Sequence, residues 1–214
     1  MSKPCAELLR ALPAAVLLAA ALCGCKSAGA RADAAQAAAA PAAPVSDAVR
    51  QAYAGALTAM QNGDWPAAQT MLQSLVASHP ELPGPAVNLA IAELHLGRAD
   101  DARKALEETA AHFPGFAPGQ HQLGLQLCAD GKFEAADAAY ARALAADPKY
   151  ALAYYDRAVL NDLYLQRPQV ALQNYEQFQQ LRPAPDKQVA GWIDALRRRA
   201  NAAPADQNGG APHT

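Results

Sequence analysis

Apolar and polar positions divide the chain into segments with different patterns. Residues 11–22 form an apolar run of about twelve residues, interrupted by one proline, and a membrane-spanning helix needs roughly 20. Residues 26–44 carry no long apolar side chain and therefore have nothing to bury. Residues 186–199 place apolar side chains at i, i+3, i+4 and i+7, which predicts a helix with one apolar face. These side chains are Val189, Trp192, Ile193 and Leu196.

The segment between these two ends repeats itself every 34 residues. One glycine and one proline recur at this interval, and both residue types are rare enough in average sequences for the recurrence to be informative. They are Gly63, Gly97 and Gly131, and Pro80, Pro114 and Pro148. A period of this length predicts a stack of similar supersecondary units.

The most complete unit covers residues 117–150. Its characteristic residues are Leu123, Gly124, Gly131, Phe133, Ala136, Tyr140, Ala143 and Pro148. In number and spacing they resemble the tetratricopeptide repeat, a family built of paired helices. The resemblance implies that Gly124 allows the second helix to cross closely. It also implies that Gly131 supplies a positive φ at the end of the first helix and that Pro148 stops the second.

Four units fit this pattern, at residues 49–82, 83–116, 117–150 and 151–185. In the second, Ala99 stands where the turn aromatic is expected, which predicts looser packing. The fourth turn, Gln166-Arg167-Pro168-Gln169, has no glycine and one extra residue. We therefore expect an all-α fold, an α-solenoid of four helix hairpins with a concave groove and a C-terminal capping helix, over residues 47–199. Residues 200–214 are predicted to be a disordered tail.

Composition and charge agree with this class. Aromatic residues make up only 6% of the chain, and the abundant alanine is the strongest helix former, so an all-β fold is disfavoured. The formal charge of −2 gives no basic field for nucleic acid, and no nucleic-acid partner is expected. Three consecutive arginines, residues 197–199, are best interpreted as a solvated helix end; docking on a phosphate or an acidic partner is the alternative.

The N-terminal residues resemble a bacterial lipoprotein signal. Lys3 and Arg10 accompany the apolar run, which ends in Leu22-Cys23-Gly24-Cys25. In the lipobox an apolar residue at −3 and a small residue at −1 precede an invariant cysteine, and Cys25 fits where Cys23 does not. The resemblance implies a signal peptide at residues 1–24, a lipidated Cys25 and a disordered Ala/Pro-rich tether at residues 25–46. An ordinary secretory signal with incidental cysteines is the alternative.

The predicted anchor also implies a location. Several acyl chains on one residue hold a protein at a membrane persistently, whereas one chain holds it only reversibly. Lys26, rather than aspartate, follows the lipidated cysteine. In the sorting scheme that the resemblance implies, this favours the inner leaflet of the outer membrane, with the protein facing the periplasm.

The family resemblance also implies which side chains face the concave groove. In each repeat they occupy the second, fifth, ninth and twelfth positions of the first helix, flanked by the sixth and thirteenth. The groove residues are Tyr53, Leu57, Met60, Val87, Asn88, Ile91, His95, His121, Gln122, Leu125, Cys128, Tyr155 and Val159, with Leu94, Asp156 and Asp162 at further mapped positions. This mainly apolar set suits an extended peptide or an amphipathic helix of a partner. The alternative is that part of it packs against the tether or a second copy of the chain. Only Asn88 matches the carboxylate clamp of chaperone-pathway relatives, so no such clamp is expected.

Catalysis, cofactor binding and metal binding are not expected. His121 and Cys128 would share a helix face about 10 Å apart, too far for proton transfer. His95 could approach either of them across the groove, but a solvent-facing histidine and a small buried-edge cysteine are the more common outcome. No glycine-rich phosphate loop or paired-carboxylate signature occurs.

The sequence thus predicts a lipid-anchored scaffold that binds an envelope protein and no small-molecule substrate. One alternative is a pilotin-like lipoprotein for pilus or secretin assembly, although such proteins carry more repeats. The other is an unrecognised hydrolase or peptidoglycan-binding protein.

Overall fold

The computed structural model describes residues 45–202, and every regular element in that part of the chain is an α-helix. In chain order the helices are α1 Asp47–Gln61, α2 Trp65–Ser78, α3 Pro83–His95, α4 Ala99–His112, α5 Ala117–Ala129, α6 Phe133–Ala146, α7 Ala151–Leu163, α8 Pro168–Leu181 and α9 Lys187–Ala202. The predicted all-α fold of helix hairpins with a final helix is confirmed. The predicted signal peptide, Cys25, most of the tether and residues 203–214 lie outside the described residues.

None of the helices within residues 45–202 is long and apolar enough to cross a membrane.

The described chain forms two compact units, which divide inside α4 after Ala102. The N-terminal unit, residues 45–102, contains α1 to α3 and the start of α4. The C-terminal unit, residues 103–202, contains the rest of α4 and α5 to α9.

The core of the N-terminal unit is built mainly from alanine, with methionine and leucine as its larger side chains. Helix α2 packs against both α1 and α3. Ser46 caps α1, its Oγ accepting from the backbone N of Val49, and Asp64 caps α2 in the same way. Such caps satisfy backbone donors that a helix start leaves unpaired. The core cluster consists of Ala56, Met60, Ala68, Leu72 and Ala92.

The turns inside the first three hairpins share one backbone conformation. Gly63, Gly97 and Gly131 have φ values of 74°, 80° and 75°, as predicted for Gly131. In the fourth hairpin Gln166 adopts a φ of 53°. A residue with a Cβ pays about 1–2 kcal/mol for this left-handed conformation. The sequence showed that a glycine is missing there, but it did not show that Gln166 adopts the left-handed backbone in its place.

The C-terminal unit depends on one close helix crossing. Helix α5 packs on α6 at Gly124, where a Cβ would come within 2.5 Å of Cε1 of Tyr140. The Tyr140 ring is fully buried. The close crossing predicted at Gly124 is therefore confirmed, and the glycine is needed because the tyrosine ring fills the space of its side chain.

Helix α9 closes the C-terminal unit by packing on α8. Its residues Val189, Ile193 and Leu196 are buried in one cluster with residues of α7 and α8, and Trp192 is partly buried against that cluster. The apolar face predicted for the final helix is confirmed. The helix continues to Ala202, beyond the predicted boundary of the C-terminal tail.

Two of the three consecutive arginines at the end of α9 form ion pairs within the chain. Arg197 lies 2.6 Å from Glu176, and Arg199 lies 2.7 Å from Asp162. Both guanidinium groups are more than half exposed, and such surface pairs contribute at most about 1 kcal/mol. They nevertheless direct these two guanidinium groups toward carboxylates of α8 and α7.

Candidate functional site

The groove positions of the N-terminal unit lie on α1 and α3. Tyr53, Leu57 and Ile91 are half-buried against the core, so part of each side chain remains accessible. Other members of the predicted set contribute to the interior: Met60, Val87 and Asn88 are buried. We call Tyr53, Leu57, Asn88, Ile91 and Leu94 the N-terminal face.

A hydrogen bond joins the two helices of the N-terminal face. Asn88 Nδ2 donates to Tyr53 Oη at 2.5 Å. Burial raises the pKa of Tyr53 to about 12, although the Asn88 hydrogen bond works in the opposite direction. The phenol therefore stays protonated at neutral pH and retains its O–H for donation. A Cβ on Gly84 would lie 2.9 Å from the same oxygen, so the phenol also depends on that glycine.

His95 is stacked on a residue that the groove mapping did not include. Its ring lies parallel to Trp65, with the ring centroids 3.6 Å apart and an interplanar angle of 2°. Partial burial lowers the pKa of His95. Trp65 is the first residue of α2, and the structure makes it the immediate neighbour of His95.

This stack predicts a pH-dependent fluorescence signal. In a Trp192→Phe background, protonation of His95 should quench Trp65, with a midpoint below the ordinary histidine pKa of about 6.5. Because the folded-state pKa of His95 is lowered, the unfolded chain binds more protons just below the ordinary value. Neutral His95 therefore contributes to the free energy of unfolding above the ordinary histidine pKa, and this contribution is lost as the pH falls below that pKa. His95→Gln should abolish the fluorescence transition, and a transition that survives this substitution would contradict the assignment.

The groove positions of the C-terminal unit lie on α5 and α7, and most of them are buried. His121, Gln122, Leu125 and Cys128 on α5 are all buried, with Leu125 only 1% exposed, and Val159 on α7 is buried as well. Tyr155 is the half-buried member of the predicted set in this unit. Of the two histidines in the predicted set, His121 is buried and His95 is exposed.

His121 is held in a buried polar cluster. Its Nε2 lies 2.6 Å from Oδ2 of Asp156, and the two side chains are 3% and 7% exposed. Oη of Tyr150 lies 3.4 Å from His121 Nδ1. Burial, followed by the charges of Asp156 and Asp147, raises the pKa of Tyr150, so its phenol stays protonated and can donate to the imidazole. The groups occur in the order hydroxyl, imidazole, carboxylate.

The chemistry of this cluster is best explained by a structural role. The imidazole and the carboxylate are almost completely enclosed, and the high pKa of Tyr150 opposes formation of a phenolate. Tyr140, whose ring centroid is 5.7 Å from that of His121, has a buried hydroxyl without a hydrogen-bond partner. The His121–Asp156 bond therefore ties α5 to α7 across two successive hairpins.

The two hydrogen bonds between helices join residues with the same separation along the sequence. Tyr53–Asn88 and His121–Asp156 are both separated by 35 residues, one more than the repeat period. Each joins the fifth position of one repeat to the sixth position of the next. A search for complementary polar side chains at this interval would have found both pairs from the sequence.

Tyr155 belongs to an aromatic cluster that includes residues missed by the groove mapping. Its ring centroid lies 5.2 Å from that of Phe178 and 6.2 Å from that of Trp192. Tyr175 lies 5.4 Å from Trp192 and 6.4 Å from Tyr155. Tyr175 and Phe178 are buried, while Tyr155 and Trp192 are half-buried. The amphipathic pattern predicted Trp192 as a cap residue but not as a neighbour of Tyr155.

Within residues 45–202 no group of three or more His, Cys, Asp or Glu side chains is arranged to hold a metal ion.

Comparison with known families agrees with the repeat geometry. Residues 59–123 match the tetratricopeptide repeat model. That segment therefore carries the sequence pattern of the tetratricopeptide repeat. This repeat fold is typical of scaffolds for protein–protein interaction rather than of catalysts. No curated protein matches the sequence.

Solved structures show the same fold. A crystal structure of MamA is similar with a TM-score of 0.58 and 20% identity, covering 68% of this chain and 84% of that one. A thermophilic tetratricopeptide protein of Thermus thermophilus gives a TM-score of 0.57, 19% identity and coverage of 71% and 82%. A structure of Naa15/Naa10 bound to HypK-THB gives a TM-score of 0.62 and 14% identity, covering 72% of this chain and 23% of that one.

Proposed function

We propose that the protein is a lipid-anchored scaffold of the bacterial envelope. It binds a peptide or a helix of a partner protein on the inner faces of its tetratricopeptide repeats, and so helps to assemble or position a periplasmic or outer-membrane complex. The observation that carries the proposal is the N-terminal face, where Tyr53, Leu57 and Ile91 leave accessible apolar surface beside the Tyr53–Asn88 hydrogen bond. Apolar surface with a few fixed polar groups is typical of protein-binding sites.

The sequence supports the anchoring part of the proposal. Leu22-Cys23-Gly24-Cys25 fits the lipobox pattern, and a lipidated Cys25 lies 22 residues before the start of α1 at Asp47. A flexible chain of that length has a root-mean-square span of about 25 Å. The repeats could therefore bind partners that lie within about this distance of the lipid anchor.

Site-specific photo-crosslinking tests the binding surface. A photoreactive amino acid at Leu57 should capture a defined envelope protein in cells. The same amino acid at Met71, which is 44% exposed on α2, should not capture that protein. Equal capture from both positions, or capture of nothing from Leu57, would contradict partner binding on this face.

The anchor is tested by fractionation. Cys25→Ser should move the protein from the membrane fraction to the soluble fraction, because the thioether-linked lipid can no longer form. Cys23→Ser is the matched control and should leave the protein in the membrane fraction. Membrane association that persists in Cys25→Ser would refute the lipid anchor without affecting the crosslinking result.

A further inference from the structure

The aromatic cluster of the C-terminal unit presents two partly accessible rings. Tyr155 on α7 and Trp192 on α9 are half-buried, with ring centroids 6.2 Å apart and planes inclined by 36°. Both rings pack against the buried Tyr175. Because the rings are fixed by this packing, a ligand that contacts them does not have to order flexible side chains first.

One carboxylate near these rings lacks a basic partner. Asp186 Oδ1 accepts from the backbone N of Gln188 at 2.9 Å and of Val189 at 3.1 Å. Within residues 45–202 no basic side chain lies within ion-pair distance of Asp186. Its charge is strong enough at Tyr155 to contribute, after burial and the charge of Asp156, to a raised pKa of that phenol.

Other carboxylates around the cluster already have partners in the chain. Asp162 is paired with Arg199, and Asp156 is bonded to His121. Asp156 contributes more than Asp186 to the raised pKa of Tyr155, but its side chain is only 7% exposed. Asp186 is partly exposed, so of these two carboxylates it is the one that a cation from solvent can approach.

The cluster already holds one cation of the chain. Cζ of Arg182 lies 5.2 Å from the ring centroid of Phe178, within the roughly 6 Å over which a ring attracts a cation. The Arg182 guanidinium thus occupies the face of Phe178 at one end of the cluster. The Tyr155 and Trp192 end has the same ring chemistry and an additional carboxylate.

We infer that Tyr155, Trp192 and Asp186 form an acceptor site for a lysine or arginine side chain of a bound partner peptide. The inference rests on the proposed function, because Tyr155 belongs to the surface proposed to bind the partner. The ring faces and the carboxylate attract the cationic end, and the aliphatic part of the same side chain contacts the rings. The occupant is therefore a basic peptide segment, in contrast to the acidic C-terminal carboxylate that the clamp of chaperone-pathway relatives holds.

Two peptides that differ only in charge test this site. The probes are the blocked pentapeptide Ala-Leu-Arg-Leu-Ala and its counterpart with citrulline, which has nearly the same shape as arginine and no charge. Each is titrated into the full chain carrying Trp65→Phe, so that Trp192 alone reports binding by fluorescence. We expect the arginine peptide to bind at least fivefold more tightly than the citrulline peptide.

Matched carboxylate variants localise the effect. Asp186→Asn removes the charge, and asparagine is an equally good helix cap, so α9 should remain folded. This variant should reduce the preference for arginine at least threefold. Asp194→Asn removes a carboxylate whose side chain is 64% exposed on the same helix, and it should leave the preference unchanged.

The outcomes separate this inference from the proposed function. Equal affinity for the two peptides, an equal effect of Asp186→Asn and Asp194→Asn, or no response of Trp192 to either peptide overturns the cation site. None of these results affects crosslinking from Leu57, which tests partner binding in the N-terminal unit. Loss of that crosslink together with an intact preference for arginine would instead refute the scaffold proposal and leave the cation site standing.

Discussion

His121→Ala should lower the free energy of unfolding by about 1–3 kcal/mol, the usual cost of leaving a buried hydrogen-bonding group without its partner. The substitution leaves the Asp156 carboxylate, which is 7% exposed, without the imidazole that faces it. It also removes the ring next to Tyr140 and Tyr150. Urea denaturation followed by circular dichroism at 222 nm measures the change.

Two further variants make this first result specific. His112→Ala removes an exposed histidine that bonds only to the Glu108 carbonyl, and it should change stability by no more than about 0.5 kcal/mol. The double variant His121→Leu with Asp156→Leu replaces both buried groups with apolar ones and should regain most of the loss. If His121→Ala costs less than about 1 kcal/mol, the bond does not hold α5 to α7.

Gly124→Ala should destabilise the protein even though alanine is the better helix former. A Cβ at this position would come within 2.5 Å of Cε1 and 2.6 Å of Cδ1 of Tyr140. Forcing atoms into a packed core costs about 1–3 kcal/mol, and the gain in helix propensity is about 1 kcal/mol. The clash should prevail, because the Tyr140 ring is completely buried and has no space into which to move. Thermal and urea unfolding both measure the loss.

Gly191→Ala is the matched control for this second prediction. Gly191 also lies inside a helix, but nothing lies within 4 Å of where its Cβ would be. Alanine should therefore stabilise α9 by up to about 1 kcal/mol. If both substitutions stabilise the protein, α5 and α6 can separate at low cost, and the prediction for Gly124→Ala is wrong.

Much of the fold was predictable because the same residue types recur at equivalent positions of successive repeats. A glycine at each of three turns, and a small residue opposite a large ring at Gly124, are recognisable from spacing alone. The fourth turn departed from the pattern, and the structure places the left-handed backbone at Gln166. No composition rule distinguishes Gln166 from its neighbours, since none of them is the glycine that such a backbone favours.

The candidate site was less predictable, because the groove mapping assigns a direction to a side chain but not its degree of burial. Tyr155 and His121 occupy the same fifth position in successive repeats, yet the former is half-buried and the latter is enclosed. The difference arises from residues distant in the sequence, chiefly Asp156 opposite His121 and Trp192 beside Tyr155. Such neighbours follow from three-dimensional packing and not from the local pattern.

The two hydrogen bonds between residues 35 positions apart differ in chemistry, so each of these two pairs of adjacent repeats is matched by its own side chains. The first junction matches a phenol with an amide, and the third matches an imidazole with a carboxylate. Exchanging the first and third hairpins would separate both matched pairs. Although the hairpins share one architecture, they are not interchangeable modules, and a shuffled or duplicated array would have to be given new junction residues before it could fold equally well.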